Sequence, residues 1–436
     1  MGKTKPPGHA GNEELGISPP ARRSIPARAA ISVRNRFSHV PGEYWNLSSI
    51  MFLFWFAAAT GTFLTVFLQK NGFQPAQVGV INAINSAVTI CVTPLWGMLA
   101  DKIRSNRKIF IFCIIVGASL WAFVPATARI VVGPILLMQI LIPLSACFRN
   151  PAGSLMDAYV VQRCAREDVP YGNVRLWGSI SFAVMAISLG AILPRTGVEI
   201  TFYVYGFSYL PLIFIMLRMK DAPSGGPARK KVPLREMQFG RLFKNYYFVT
   251  YMIFAVFMNL PMNTMMTFLP YLIEMVGGDS AQLGIVAGYK ALLEIPILLL
   301  MKPLRRRFPL SVAIILAGVL YAVEFSLYFR ASSLTHILLI HTLHGIAGGF
   351  MIGAGANYVF TLAPEGLNST AHTVSGAMGS AASIIGNLLG GALITVIGVR
   401  SFYLVGAGVI AVSIVYFAAT LIIGSKVLKK PIPRST

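Results

Sequence analysis

The chain of 436 residues reads as an all-α membrane protein, twelve transmembrane helices in two pseudo-symmetric six-helix halves, on three observations. Apolar runs of about 20 residues, the length that crosses a bilayer core, recur from Trp45 onward. Only 12% of residues are charged and the mean hydropathy is +0.67, where a soluble domain carries roughly 25% charge. The chain also repeats itself. Thr62-Phe63-Leu64, Gly72, Ala76-Gln77 and Gly79 recur at an offset of 205 as Thr267-Phe268-Leu269, Gly277, Ala281-Gln282 and Gly284.

The apolar runs predict helices over 45–69, 76–100, 109–128, 130–161, 173–194, 200–219, 246–275, 281–301, 309–330, 334–363, 371–397 and 399–425. The fourth and tenth are long enough to include an extension or a bend. Pro143, Pro151, Gly345, Gly348 and Gly349 fall inside them, which a bundle tolerates because neighbouring helices re-satisfy freed backbone groups. The halves are then 45–219 and 246–425, joined by a linker over 220–245 that carries Pro223-Ser224-Gly225-Gly226-Pro227 and a basic run. Residues 1–44 are polar and rich in Pro and Arg, so they read as a disordered basic arm, and 426–436 reads as a tail.

A net charge of +22 suggests nucleic acid, but its distribution excludes it. Thirty of the 37 Lys and Arg fall on one side of this topology, at 1–44, 102–108, 163–175, 218–244, 302–307 and 426–434. Five fall on the other: Lys70, Arg129, Arg195, Arg330 and Arg400. That bias puts both termini in the cytoplasm by the positive-inside rule. It makes the lipid bilayer, with its anionic lipid, the partner of the basic charge, and implies a multi-pass plasma (inner) membrane protein. Cys91, Cys113, Cys147 and Cys164 lie in or near apolar runs and read as small buried hydrophobes. Residues 1–44 show no cleavable signal, and Pro6 spoils the myristoylation pattern that Met1-Gly2 begins. The Asn368-Ser369-Thr370 sequon falls on the cytoplasmic side, where it goes unused. The histidines lack metal-ligand spacing and no nucleophile elbow or phosphate loop occurs, so no metal, cofactor or enzyme activity is expected.

Between the second and third runs, Gly97-Met98-Leu99-Ala100-Asp101-Lys102 with Arg107-Lys108 sets one carboxylate among four cations in a tight turn. That arrangement reads as a turn on the cytoplasmic side of the membrane. Ionisable groups inside spans cost about 2.5–3.5 kcal/mol each at mid-depth, so those present invite a role. Lys290 and Glu294 share one face of the eighth helix, either as a self-neutralising pair or as a site for solute and proton. His344 lies near mid-depth in the tenth, with His341 one turn earlier, and titrates nearest neutrality. Glu294 and His344 therefore read as the proton-coupling pair. Arg149 is the one mid-span cation of the first half, and either snorkels or meets solute. Glu324, in the outer third of the ninth, reads as snorkelling or paired. Asn82, Asn85, Asn259, Asn263 and Asn387 form interhelical hydrogen bonds by default, with Asn85 and Asn263 also candidates for solute contact. Asp157 and Arg175 face each other across the short loop between the fourth and fifth helices, and read as a structural or gating pair.

The 97–108 segment resembles the loop after the second helix of major facilitator superfamily transporters, although the glycine usual before the last basic pair is absent; the resemblance implies that Gly97, Asp101 and Arg107 clip two helices together as structural or gating residues. Pro94-Leu95-Trp96-Gly97-Met98-Leu99-Ala100-Asp101, Asp157 with Tyr171-Gly172 and Arg175-Leu176-Trp177-Gly178-Ser179, Glu294-Ile295-Pro296 and Leu343-His344-Gly345 together resemble its lactose-permease-like branch, the group of phenylpropionate permease and the nucleoside–proton symporters. The resemblance covers about residues 45–425. It implies proton-driven uptake of a sugar, nucleoside or aromatic acid by alternating access, in a functional monomer, with Glu294 and His344 matching the family's acid and histidine. Lys290 and Arg149 belong to no shared pattern and tilt the expectation slightly toward an anionic or zwitterionic solute. A proton-driven exporter and a non-transporting membrane receptor stay open beside it.

Overall fold

The computed structural model describes Gly2 and residues 42–219, 239–305, 309–364 and 367–430. Most of the expected N-terminal arm, linker residues 220–238 and tail residues 431–436 lie outside these. Among the described residues the chain is nearly all helical. The long helices are α1 (Gly42–Lys70), α2 (Pro75–Ile103), α3 (Asn106–Phe123), α4 (Leu137–Arg166), α5 (Tyr171–Thr196), α6 (Ile200–Arg218), α7 (Tyr246–Met275), α8 (Ser280–Arg305), α9 (Leu310–Tyr328), α10 (Leu334–Leu362), α11 (368–397) and α12 (399–422). Nine helices among the described residues, counting α11 and α12 together, are long and apolar enough to cross a membrane. In hydrocarbon a helix closes its own backbone hydrogen bonds, which is why apolar runs take this form.

Two expectations are corrected. The apolar stretch from 130 was assigned to the fourth helix, but Val131–Val132 (β1) and Ile135–Leu136 (β2) form an antiparallel hairpin around Gly133, whose φ is +62°. Gly133-Pro134 favours a turn and the flanking Val131, Val132 and Ile135 suit strands, so α4 starts only at Leu137. The loop around Asp101 is also shorter than expected. α2 runs through Asp101 to Ile103 and ends on Arg104 in the left-handed region, with Ser105 capping α3 by accepting from the Lys108 amide at 3.1 Å. Asp101 thus occupies the last turn of α2, exposed, while Arg107 donates to the carbonyls that end α6, at Met216, Leu217 and Met219.

The repeat read from sequence has a structural meaning. Gln77 accepts from the Gln74 amide (2.9 Å) and Gln282 from the Asp279 amide (2.8 Å), the same cap at the start of α2 and of α8. Gly72 and Gly277, 205 residues apart, both turn the chain with φ near +80°. Gly79 meets the Asn387 carbonyl and the Gly391 Cα of α11, and Gly284 meets the Ala186 carbonyl and the Gly190 Cα of α5. Each contact leaves no room for a side chain, because an added Cβ would fall 2.3 Å from the facing carbonyl oxygen. α2 against α11 and α5 against α8 are therefore the two copies of one close packing between the halves, of the small-residue kind that lets backbones approach.

Candidate functional site

Among the described residues, the hydrogen bonds joining the halves fall between one end and mid-depth. Gln69 of α1 donates to Glu274 of α7 at 2.7 Å, the Ala76 amide to Thr395 at 3.2 Å, and Ser86 of α2 meets Ser383 of α11 at 3.1 Å. Toward the other end the same helices carry Gly97 (α2), Gly172 (α5), Gly376 and Gly379 (α11), each with nothing within 4 Å of a built Cβ. The halves close over the end that bears the hairpin and part toward the end that bears Asp101.

At the bottom of the closed part lie the ionisable groups. Lys290 Nζ stands 3.9 Å from Glu294 Oε1, and their side chains are 28% and 15% exposed, so this pair reaches solvent. A Cβ on Gly348 of α10 would lie 3.2 Å from Glu294 Oε1 and 3.5 Å from the Tyr321 hydroxyl of α9, so both groups converge where that glycine lacks a side chain. From the first half, the cation within electrostatic reach of Glu294 is Arg175 of α5. Its guanidinium lies over the Trp55 ring of α1, 4.3 Å from the centroid, and its Nη1 has no hydrogen-bond partner. The expected Asp157–Arg175 ion pair is not closed in this conformation. Asp157 accepts instead from the Tyr171 hydroxyl at 3.3 Å, with Arg175 still within electrostatic reach. Two carboxylates and two cations, Asp157 and Arg175 of the first half and Glu294 and Lys290 of the second, are thus linked by electrostatic reach.

Arg149 is not part of that group. Its guanidinium stacks on Trp121 of α3 at 3.4 Å and near Tyr205 of α6 at 4.6 Å, inside the first half, where Gly117 gives it room. It neither snorkels nor meets Lys290, because two aromatic faces hold a desolvated guanidinium well. Asn85 keeps a buried Oδ1 without a hydrogen-bond partner, while exposed Asn263 donates to the Gly379 carbonyl at 3.0 Å.

Behind this layer is a second group that the sequence did not reveal. Glu324, 0% exposed, accepts from the Tyr328 hydroxyl at 2.9 Å, and its other oxygen stands 3.1 Å from His344 Nδ1. His341 Nδ1 lies 2.6 Å from the Tyr328 oxygen and 3.5 Å from Glu324. The two imidazoles stack in parallel, 4.9 Å apart. His344, expected beside Glu294, is therefore bound to Glu324, which is paired and wholly buried rather than snorkelling. A signal was available: α9 and α10 are neighbours joined by a short loop, so residues at similar distances from it share a depth.

A bundle of apolar helices in two related halves, with polar and ionisable groups held inside, describes a multi-pass membrane transporter, a protein that moves solutes and performs no chemistry on them. The model of the MFS_1 like family matches residues 44–405, and the chain belongs to this family of major facilitator transporters. It is similar to the maltose permease of Geobacillus stearothermophilus, 26% identical over 86% of this chain and 91% of that one. A putative sugar efflux transporter of Deinococcus radiodurans is 26% identical over 80% of this chain and 90% of its own. Among solved structures, the nucleoside transporter NupG superposes with a TM-score of 0.74 at 17% identity, over 87% of this chain and 99% of that one.

Proposed function

We propose that the protein is a proton-coupled symporter that takes up a neutral, hydroxyl-rich solute of the sugar or nucleoside kind across the plasma membrane. It would work as a monomer of twelve crossings with both termini cytoplasmic, so that the conformation described is the inward-open one. The observation that carries this is the charge-balanced group of Lys290, Glu294, Asp157 and Arg175, linked across the two halves. With each cation matched by a carboxylate, an anionic solute gains no unpaired charge, and the caged Arg149 no longer argues for one. Paired charges with spare hydrogen-bonding capacity suit hydroxyl groups, and Trp55 offers an apolar face beside them. Glu294 becomes neutral by taking a proton, which fits a group that carries charge between two exposures. The chain's similarity to a maltose permease and to a nucleoside transporter supports the same solute class.

The test is uptake into proteoliposomes under an imposed inward pH gradient, with maltose, sucrose, uridine and phenylpropionate each supplied as labelled solute. Gradient-dependent accumulation of a neutral solute supports the reading; accumulation of the carboxylate alone overturns the solute class. A second reading, proton-driven export, is favoured by the relative named as a sugar efflux transporter. Accumulation by inverted vesicles on energisation, with exclusion by intact cells, would decide for it.

A further inference from the structure

α3 and α6 pack side by side in the first half and leave a groove of about 290 Å³ between them. Its floor is made of small residues, Ala118 and Ala122 of α3 and Gly206 of α6, and its walls include the exposed Phe207 and Leu210. A Cβ built on Gly206 meets nothing within 4 Å, so the floor is open. Tyr209, buried, closes the inner side, its ring 4.8 Å from that of Tyr205, on which Arg149 rests. Largely apolar along its length, the groove is cationic at one mouth. Lys108 precedes Ile115 by seven residues and Ala122 by fourteen, two and four helical turns, so it shares their face of α3. Arg218 follows Phe214 by four residues and Phe207 by eleven, on one face of α6, and its guanidinium lies 3.9 Å from the Phe214 ring centroid. Both cations are exposed, and among the described residues neither pairs with a carboxylate.

We propose that this groove binds one anionic phospholipid of the phosphatidylglycerol kind, an acyl chain lying on Gly206 and Ala118 and the phosphate held between Lys108 and Arg218. The dimensions fit. At 1.5 Å per residue, Lys108 stands roughly 9 Å beyond Ile114, where the lining begins on α3, and Arg218 roughly 8 Å beyond Ile213 on α6. The lining then runs about 12–15 Å, close to the hydrocarbon depth of one leaflet. Long basic side chains reach up to the headgroup level, and guanidinium and ammonium groups both hold phosphate. A chain in the groove presses on Tyr209, and through it on the Tyr205 ring that holds Arg149, so the lipid braces the first half from outside. Placement in the cytoplasmic leaflet rests on the orientation proposed above; the binding itself does not.

Native mass spectrometry of the purified protein in detergent, titrated with phosphatidylglycerol and phosphatidylcholine of identical chains, tests this with no solute present. The expected result is one retained phosphatidylglycerol, preferred about thirtyfold over phosphatidylcholine, as two cations each worth roughly 1 kcal/mol give. Lys108→Gln and Arg218→Gln should each lower that ratio about fivefold and leave the melting temperature of the lipid-free protein unchanged. Gly206→Leu, whose Cβ has room, fills the groove and should remove the retained lipid. Phosphatidylglycerol should raise the melting temperature of the wild type and not that of Gly206→Leu. Equal retention of the two lipids, a preference that survives both charge replacements together, or retention by folded Gly206→Leu overturns the proposal. So does retention of cardiolipin without phosphatidylglycerol. These ratios do not depend on which end faces the cytoplasm, so an inverted topology would move the site to the other leaflet without altering them.

Discussion

Glu294 lies within electrostatic reach of Arg175 from the other half while Arg149 is held on Trp121, and this separates three substitutions by readout. Glu294→Gln should abolish accumulation driven by the pH gradient and spare exchange, because the amide binds hydroxyls but carries no proton; wild-type accumulation against a gradient would sink the coupling role. Arg175→Gln should weaken solute binding, by about 10- to 150-fold if it donates one charge-assisted hydrogen bond worth roughly 1.5–3 kcal/mol. Arg149→Gln should leave that affinity unchanged and lower thermal stability instead, through loss of its contacts with Trp121 and Tyr205, about 2 kcal/mol or more when such a contact is desolvated. Isothermal binding and thermal melts of the three variants check the pattern. At the surface, Glu199 accepts from Lys70 at 2.8 Å. Partial burial raises its pKa and the Lys70 hydrogen bond lowers it, and the balance leaves the carboxyl below its usual value. A depressed folded pKa stabilises above the unfolded carboxylate range and is lost as pH falls through the folded value. Glu199→Gln should therefore cost under about 1 kcal/mol at neutral pH, as exposed pairs do, and nothing in acid, as melting temperatures across pH would show.

The repeated Ala-Gln and Gly positions were legible in the sequence as identities, and the helices give them a purpose. Gln77 and Gln282 cap helix starts, and Gly79 and Gly284 let backbones touch. Gly79→Leu or Gly284→Leu should prevent closure of the hairpin end, since a Cβ there already overlaps a carbonyl oxygen. Distances between spin labels on α2 and α11 should lengthen and transport should stop, and an unchanged distance would refute the packing argument. Hydropathy placed the long helices because burial in lipid demands long apolar runs. It missed the hairpin because Val131, Val132 and Ile135 are as apolar as a helix, and only Gly133-Pro134 marked the break. It also missed the Glu324 group, because depth was judged helix by helix, while partners on α9 and α10 are set by how two helices pair. Arg175 reads in sequence as the partner of its loop neighbour Asp157, where the bundle instead lays its guanidinium over Trp55, within electrostatic reach of both Asp157 and Glu294.

At the scale of the whole molecule, the bias of Lys and Arg predicts which end meets the cytoplasm. In a variant lacking native cysteines, Cys substituted at Gly133 should react with a membrane-impermeant maleimide on intact cells, and Cys at Lys429 only after permeabilisation. The reverse pattern would invert the topology and turn an inward-open state into an outward-open one. The connections at the hairpin end are brief: 71–74, 197–199, 276–279, 329–333 and, between α11 and α12, the single residue Gly398, which like Gly197 takes a φ near +80°. The hairpin between α3 and α4 is the longest projection there. With that topology an intact cell would show antibodies and proteases almost nothing of the described residues except that one hairpin, which would make it the place for an epitope tag and the first bond that an external protease would cut.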